Sequence, residues 1–306
     1  MTQAQPQASV EDLVVVPVRH YGLWIGTAVT LVVLFVIVEA LATNPAFDWP
    51  TVGKYLFHPS IMRGLGQTIL LTVIIMALSI VIGAVVAIMR LSPSRILNSF
   101  AAGYIWFFRG APALIQLIFW FNLSLVVREF SLTLPFLGTL FSVKTNDFMT
   151  PFVSAVIALS LHEAGYMAEI VRAGINSVPS GQTEAAGSLG MTRGLILRRI
   201  TLPQAMRFIV PPTGNETINL LKTTSLVTII AVDDLLYSAQ SIYARTFETI
   251  PLLIVVAFWY LFVVTLLSIG QHFIEQYYGR SDQQQGRPMN RILQRAFRFR
   301  REARPA

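Results

Sequence analysis

The sequence contains no cysteine and few charged residues. Without cysteine, the chain can form neither a disulfide nor a thiolate metal site, and it lacks a cysteine nucleophile. Charged residues make up 13% of the 306 residues, whereas an ordinary soluble domain carries about 25%. The four histidines, at positions 20, 58, 162 and 272, do not have the spacing of metal ligands. These shortages exclude a soluble enzyme and predict that the chain binds no metal.

Apolar residues are abundant instead. They form 54% of the sequence, and the mean hydropathy is +0.60, as expected of a protein that crosses a membrane several times. Six stretches are long enough to span the hydrocarbon layer: 23–41, 67–88, 110–127, 152–173, 205–230 and 252–273. The sequence therefore predicts an all-α integral membrane protein with six transmembrane helices.

Prolines mark two of these spans. Pro112 interrupts the apolar run 96–127 and suits the first turn of a helix. Residues 94–108 are therefore predicted to lie in the membrane interface, ahead of the third span. Pro211 and Pro212 are predicted to bend the fifth span.

The distribution of lysine and arginine predicts the orientation. If the N-terminus lies inside the cell, 17 of these residues fall on the inner side and five on the outer side. Since the inner loops of membrane proteins are enriched in basic residues, both termini are expected in the cytoplasm. The predicted order is a cytoplasmic segment 1–21, a first transmembrane helix 22–42, a transmembrane core 64–278 and a basic cytoplasmic tail 279–306. A cleaved signal peptide is disfavoured, because the first apolar stretch of about 19 residues exceeds a signal core.

The basic tail holds eight arginines with apolar residues between them. This composition suits a helix lying on anionic membrane lipid, and a solvated, disordered tail is the alternative. Nucleic-acid binding is not expected, because no nucleic-acid-binding fold accompanies the arginines.

A motif lies between the fourth and fifth spans. Residues 184–190 read E-A-A-G-S-L-G, and nine residues later the chain reads I-T-L-P at 200–203. The pattern resembles the EAA loop, E-A-A-x3-G-x9-I-x-L-P, of the membrane subunits of bacterial ABC importers. The resemblance implies that residues 180–203, called here the EAA segment, dock a separate ATPase subunit through Glu184, Ala185, Ala186, Gly190, Ile200, Leu202 and Pro203. We predict a helix that Ser180 or Thr183 caps and Pro203 ends.

Neighbouring segments resemble the polar amino-acid permeases among these subunits. They are residues 109–117, 166–175, 179–186, 215–216 and 222–226. The likeness extends from about residue 64 to residue 278 and implies the five-helix core of a type I importer, to which the first helix is an addition. It also implies three protein partners: the ATPase, a second permease that is identical or homologous, and an extracytoplasmic protein that delivers the amino-acid substrate.

Polar residues inside membrane spans are costly and are therefore functional candidates. Those predicted to line a substrate path are His162, Glu163 and Tyr166 on the fourth span, and Asn215, Glu216, Asn219 and Lys222 on the fifth. The alternative is that they hold neighbouring helices together. Five further residues are expected to be structural: Arg109, Pro112 and Gln116 in the permease motif, and Glu169, which can pair with Arg172 one helical turn away.

The sequence contains no G-x-x-x-x-G-K-[ST] pattern and hence no P-loop for ATP. We therefore expect a transport subunit of the bacterial inner membrane that is not an enzyme and holds no cofactor, with ATP and Mg²⁺ used by the partner ATPase. An ion-gradient-driven secondary transporter is the alternative. Such transporters usually contain inverted repeats, and the sequence shows no convincing repeat.

Overall fold

The computed structural model describes residues 21–134 and 138–279. Apart from Tyr21 and Gly279, the predicted N-terminal segment 1–21 and the predicted basic tail 279–306 lie outside these residues. The fold is that of an all-α integral membrane protein, with one short β-hairpin between two helices. The chain divides after Trp49 into two compact units.

The first unit contains helix α1 (Tyr21–Thr43). Its 23 residues give a length of about 35 Å, enough to cross the hydrocarbon layer. A short 3-10 turn follows, capped by Asn44, whose Oδ1 accepts a hydrogen bond from Ala46 N at 2.9 Å. The predicted extra transmembrane segment 22–42 therefore coincides with a single apolar helix.

The pair α3 (Pro59–Arg90) and α7 (Pro151–Asn176) forms the centre of the second unit. The two helices approach closely because Gly83 leaves room, since a Cβ there would lie 2.6 Å from Met167 Cβ. Across the same contact, Ser79 Oγ donates to the main-chain oxygen of Ser160 at 3.2 Å. The largest apolar cluster lies around this pair and includes Leu71, Ile75, Met76, Leu117, Leu159 and Met167.

Helices α4 (Arg95–Gly110) and α5 (Ala113–Phe121) meet at a bend of 100°. Ala111 is extended between them, because the ring of Pro112 disfavours a helical conformation at the preceding residue. The third span is therefore not the single helix 110–127 that the sequence predicts. The nine residues of α5 extend only about 14 Å, but α4 and α5 together are long and apolar enough to form a broken span.

The strands β1 (Glu129–Leu134) and β2 (Gly138–Lys144) form an antiparallel hairpin. Glu129 pairs with Lys144 and Phe130 with Val143. This hairpin is not among the predicted elements. Polar and apolar residues alternate along residues 130–134 and 141–144, which is the period of a strand, so the sequence contains a strand signal beside the longer apolar runs.

The EAA segment is not one helix. It runs through four consecutive pieces: α8 (Ser180–Ser188), α9 (Arg193–Ile196), a π-helical segment (Leu197–Thr201) and the start of α10 (Leu202–Thr223). The break after α8 falls at Gly190, whose φ of +78° is the left-handed conformation that commonly ends a helix. Pro203 does not end a helix as predicted. It lies in the first turn of α10, where a missing N–H is tolerated.

The predicted cap of the EAA segment is also absent. The N-cap of α8 is Pro179, and neither Ser180 nor Thr183 caps the helix with its side chain. Thr183 Oγ1 instead donates a hydrogen bond to the main-chain oxygen of Ser180 at 2.7 Å.

The remaining helices complete the outer shell of the second unit. Helix α10 continues through Pro211 and Pro212 and is followed by a 3-10 segment (Thr224–Ile230). A second apolar cluster includes Tyr55, Ile61, Leu235, Leu252 and Val255. The helices not yet bounded are α2 (Trp49–Leu56), α6 (Thr145–Phe148), α11 (Leu235–Thr246) and α12 (Thr249–Gly279).

By length and composition, α1, α3 and α12 can each cross a membrane, and the bent pair α4–α5 makes a fourth candidate. Helices α7 and α10 have 26 and 22 residues, enough for a span of about 20 residues. They are less apolar because they carry the polar residues singled out above. The count of six spans therefore stays a prediction for these two helices.

Candidate functional site

The bend between α4 and α5 is tied together by the amide of Gln116. This buried side chain donates through Nε2 to the main-chain oxygens of Phe108 at 3.0 Å and Ala111 at 2.9 Å. The same nitrogen lies 3.1 Å from Nδ1 of His162 on α7. Gln116 thus satisfies two carbonyls that the bend frees and connects the bend to the predicted path.

Arg109 connects the same bend to α7 at a second point. Its guanidinium lies 5.0 Å from the ring centroid of Tyr166, within the range of a cation–π interaction. The rings of Tyr166 and His162 are 5.4 Å apart. Gly165 permits this approach, because a Cβ there would lie 3.1 Å from Arg109 Cγ. Two predicted path residues therefore also contact the bend, as the helix-packing alternative requires.

Glu163 differs from its neighbours on α7. Its side chain is 5% exposed, and Oε1 has no hydrogen-bond partner among the residues that the structure describes. A second carboxylate, that of the half-buried Glu216, lies on α10, which packs against α7. A buried carboxylate without a full set of partners is costly, and either protonation or a nearby cation lowers that cost.

The polar residues of α10 lie on one exposed face. Asn215, Asn219 and Lys222 are all exposed, and Glu216 is half-buried. Asn215 Nδ2 donates to Oε1 of Glu275 on α12 at 3.3 Å. Lys222 forms no ion pair within residues 21–134 and 138–279. The predicted path residues of the fifth span thus share a polar surface, from which Asn215 also reaches a neighbouring helix.

Gln271 on α12 is a buried polar residue that the sequence analysis missed. Its Nε2 donates to the main-chain oxygen of Pro211 at 2.8 Å and to Oε1 of Glu275 at 2.9 Å. The side chain reaches α10 over Gly214, where a Cβ would overlap the amide oxygen. A glycine two residues after two prolines in a predicted helix was the available signal for this contact.

Glu169 and Arg172 form an ion pair near the end of α7. Arg172 Nη2 lies 2.7 Å from Glu169 Oε2, and Arg172 Nε lies 3.1 Å from both carboxylate oxygens. The pair lies within one helix and is partly exposed, so its contribution to stability is small.

The EAA segment presents a mixed surface. Among the residues that resemblance assigns to docking, Ala186 is buried, Ile200 is half-buried, and the exposed ones are Glu184, Ala185, Gly190, Leu202 and Pro203. Leu189, at the break after α8, is 84% exposed. Leu189 and the small residues of α8 thus leave this part of the EAA segment open to solvent.

Metal binding finds no support in the described part of the chain, which contains no group of three or more histidine, aspartate or glutamate side chains able to hold an ion.

Comparison with known proteins gives consistent similarities. Residues 79–279 match the family described as binding-protein-dependent transport system inner membrane component. The arginine transport system permease protein ArgU of Corynebacterium glutamicum is 42% identical over 86% of this chain and 82% of its own length. The L-cystine transport system permease protein TcyB of Bacillus subtilis is 37% identical, over 78% of this chain and 94% of its own length.

Two kinds of solved structure are also similar. A chain from a crystal structure of an amino acid ABC transporter with histidines is 31% identical, with a TM-score of 0.62, covering 72% of this chain and 95% of that chain. An inward-facing MetNI methionine ABC transporter has a TM-score of 0.55 at 18% identity, covering 71% of this chain and 95% of that chain. The second similarity concerns the fold alone.

Proposed function

Because the chain belongs to the family of inner-membrane components of binding-protein-dependent transport systems, we propose that it forms the substrate path of an ATP-driven importer for polar amino acids, with a preference for cationic side chains. The family membership agrees with the resemblance seen in the EAA segment. It makes the chain a multi-pass inner-membrane transport subunit rather than an enzyme, and it favours an importer over a secondary transporter. Members of this family act with a separate ATPase and a substrate-binding protein.

The substrate class is proposed from the surroundings of Glu163. The buried carboxylate of Glu163, with its unpartnered oxygen, and the half-buried carboxylate of Glu216 on the adjoining helix favour a positively charged group between α7 and α10. A guanidinium or ammonium side chain can donate hydrogen bonds to both carboxylates. The name of the relative ArgU, which refers to arginine, supports the same class.

A second permease copy, identical or homologous, is proposed to cover the polar face of α10. Asn215, Asn219 and Lys222 are exposed on this helix, and polar side chains of a membrane span face a protein interior or a water-filled cavity rather than lipid. Two such faces opposite each other would enclose a polar path. Lys222, which has no acidic partner within the described residues, would then be available to the substrate carboxylate.

The ATPase is proposed to bind the EAA segment. Exposed Leu189 and the small residues of α8 allow insertion into a groove of the partner. In this arrangement the EAA segment and both termini lie in the cytoplasm. ATP and Mg²⁺ would be bound by the ATPase, and this chain would hold no cofactor.

The test uses the permease, its copurifying ATPase and the binding protein reconstituted in vesicles. Glu163→Gln keeps the size and hydrogen bonding of the side chain but removes its charge. Loss of a charged contact should lower ATP-dependent arginine uptake roughly tenfold or more, while assembly is unchanged. The matched control is Glu129→Gln, at an exposed carboxylate of the hairpin, and it should transport normally.

Three results would contradict the proposal. Uptake that needs an ion gradient and no ATP would identify a secondary transporter. Normal arginine uptake by Glu163→Gln would assign this residue to helix packing. Failure of any ATPase to copurify would remove the proposed role of the EAA segment.

A further inference from the structure

A polar cavity of about 550 Å³ lies apart from Glu163, where α3 and α7 begin and α11 follows the 3-10 segment. Its lining includes no residue of the predicted substrate path. Seven polar side chains contribute to its walls: Ser60, Arg63, Gln67, Thr150, Asp233, Ser238 and Ser241. In the proposed orientation this end of the helices faces the outside of the cell.

The cavity contains one cationic and one anionic side chain that do not neutralise each other. Arg63 Nε makes a long hydrogen bond of 3.4 Å to the main-chain oxygen of Pro59, which leaves both Nη groups free to donate. Within residues 21–134 and 138–279, neither Arg63 nor Asp233 forms an ion pair, and the Asp233 carboxylate has no hydrogen-bond partner. The cavity thus presents two charges of opposite sign, neither of which is in an ion pair within the described residues.

These charges match the two groups that every free amino acid carries. A guanidinium can bind a carboxylate through two parallel hydrogen bonds. An ammonium donates three hydrogen bonds, which a carboxylate and a neighbouring hydroxyl such as that of Ser238 can accept. A simple anion or a simple cation would meet one like-charged residue, so the pair favours a zwitterion.

We propose that this cavity is a receiving site for the α-carboxylate and α-ammonium of a free amino acid, bound by Arg63 and Asp233 respectively. The proposal rests on the proposed function, because it assumes an amino-acid substrate. The volume of the cavity lies within the range of about 300–1,000 Å³ that small-molecule sites occupy. The cavity therefore leaves room for amino acids with different side chains. The cavity would therefore select the backbone of the substrate, whereas Glu163 selects its side chain deeper in the membrane.

The test uses a cysteine reporter, because the chain contains no native cysteine. Ser241→Cys is introduced into the assembled permease–ATPase complex in nanodiscs, without binding protein, and its rate of maleimide labelling is measured. L-Arginine should slow the labelling, whereas argininamide, which lacks the carboxylate, and N-acetylarginine, which lacks the ammonium, should not. Ser60→Cys on the opposite wall is the second reporter if Ser241→Cys does not assemble.

Charge removal supplies the second measurement. Arg63→Gln or Asp233→Asn should raise the arginine concentration for half-protection roughly tenfold or more, because each removes one charged hydrogen-bonding partner. The matched controls are Arg128→Gln and Asp147→Asn, at exposed residues that do not line the cavity, and they should leave protection unchanged.

The outcomes separate this proposal from the proposed function. Equal protection by all three compounds, or no protection, in a complex that still imports arginine would overturn the receiving site and leave the importer intact. Protection by the binding protein alone would assign the cavity to protein docking and would also overturn it. A complex that binds arginine here with the expected selectivity supports the site, even if Glu163→Gln leaves transport unchanged.

Discussion

The side-chain amide of Gln271 on α12 donates a 2.8 Å hydrogen bond to the main-chain oxygen of Pro211 on α10. Pro211 and Pro212 lack N–H groups, so the hydrogen-bond ladder of α10 is weakened where they stand. The carbonyls that lose a donor are those of Arg207 and Phe208, one turn earlier. The bond from Gln271 to Pro211 therefore adds a contact between the two helices. Polar side chains that bond across helices in this way stabilise helix pairs in a membrane.

Gly214→Ala should destabilise the contact between α10 and α12. The added Cβ would overlap the amide oxygen of Gln271, and forcing a methyl group into a packed contact costs about 1–3 kcal/mol. We expect a lower midpoint of thermal unfolding in detergent. The matched control is Gly270→Ala, on α12, where a Cβ meets nothing within 4 Å.

Removing the Gln271 side chain should restore part of the stability that Gly214→Ala loses. In the double variant Gly214→Ala with Gln271→Ala, the overlap is gone and part of the lost stability should return. Equal stability of Gly214→Ala and Gly270→Ala would show that the Gln271 side chain can adopt another conformation. It would also show that its hydrogen bond to Pro211 is not needed for stability.

Gly190→Ala should weaken attachment of the ATPase. Gly190 has a φ of +78°, a conformation that costs a residue with a Cβ roughly 1–2 kcal/mol. Steric crowding is not the cause, because a Cβ at this position meets nothing within 4 Å. We expect less ATPase in a pull-down from membranes that contain equal amounts of permease.

Gly187→Ala provides the comparison for Gly190→Ala. Gly187 lies inside α8, and it too has open space around its Cβ position. Its replacement should leave attachment unchanged. The explanation from backbone conformation fails if both variants retain the ATPase equally.

Asp234 should make stability depend on pH. Its Oδ1 caps α11 by accepting hydrogen bonds from Tyr237 N at 2.8 Å and Thr228 Oγ1 at 2.9 Å. Burial nevertheless raises the pKa of Asp234 above the ordinary carboxyl range. The folded protein then holds this proton more tightly than the unfolded chain, so stability falls as the pH rises from about 4 through the raised pKa.

Asp234→Asn tests this pH dependence, because it removes the titration and keeps an acceptor for both hydrogen bonds. Its thermal midpoint should vary less between about pH 4 and pH 8 than that of the natural protein. Asp147→Asn, at an exposed carboxylate on α6, should retain the natural profile. Identical profiles for the two variants would remove Asp234 as the origin.

The orientation can be tested with fused reporters. Reporters placed after Glu11 and after Arg298 should both read cytoplasmic, and one near Asp147 should read external, because of the excess of inner basic residues. A reporter at Glu11 that reads external, or a mature chain that begins near residue 43, would contradict the proposed topology.

Local sequence patterns predicted part of this molecule well. Apolar runs located α1, α3 and α12, since burial in lipid depends on composition over about 20 residues. The spacing of Glu169 and Arg172 fixed their proximity, because residues three apart lie on one side of a helix. The E-A-A and I-x-L-P residues pointed to the family, although they did not disclose the break at Gly190.

Contacts between distant segments were harder to predict. Gln271 and Pro211 are hydrogen-bonded although 60 residues separate them in the sequence. Arg63 and Asp233 come together only in that they line the same cavity. Such pairs depend on how helices pack, which no local period encodes. The bend at Pro112 was recognised as an interruption, but its angle depends on Gln116 and on contacts with α7.

The backbone from Arg193 to Thr223 runs through α9, the π-helical segment and α10 without an intervening loop. A displacement of Ile200 by a partner is therefore not absorbed by a flexible loop. It is transmitted along α10 as rotation about the helix axis or translation along it. Rotation of α10 about its own axis would swing Asn215, Asn219 and Lys222 together. The wider π turn lies at Leu197–Thr201, and this geometry is frequent at functional sites. It is the place where the twist of the continuous helical segment can change.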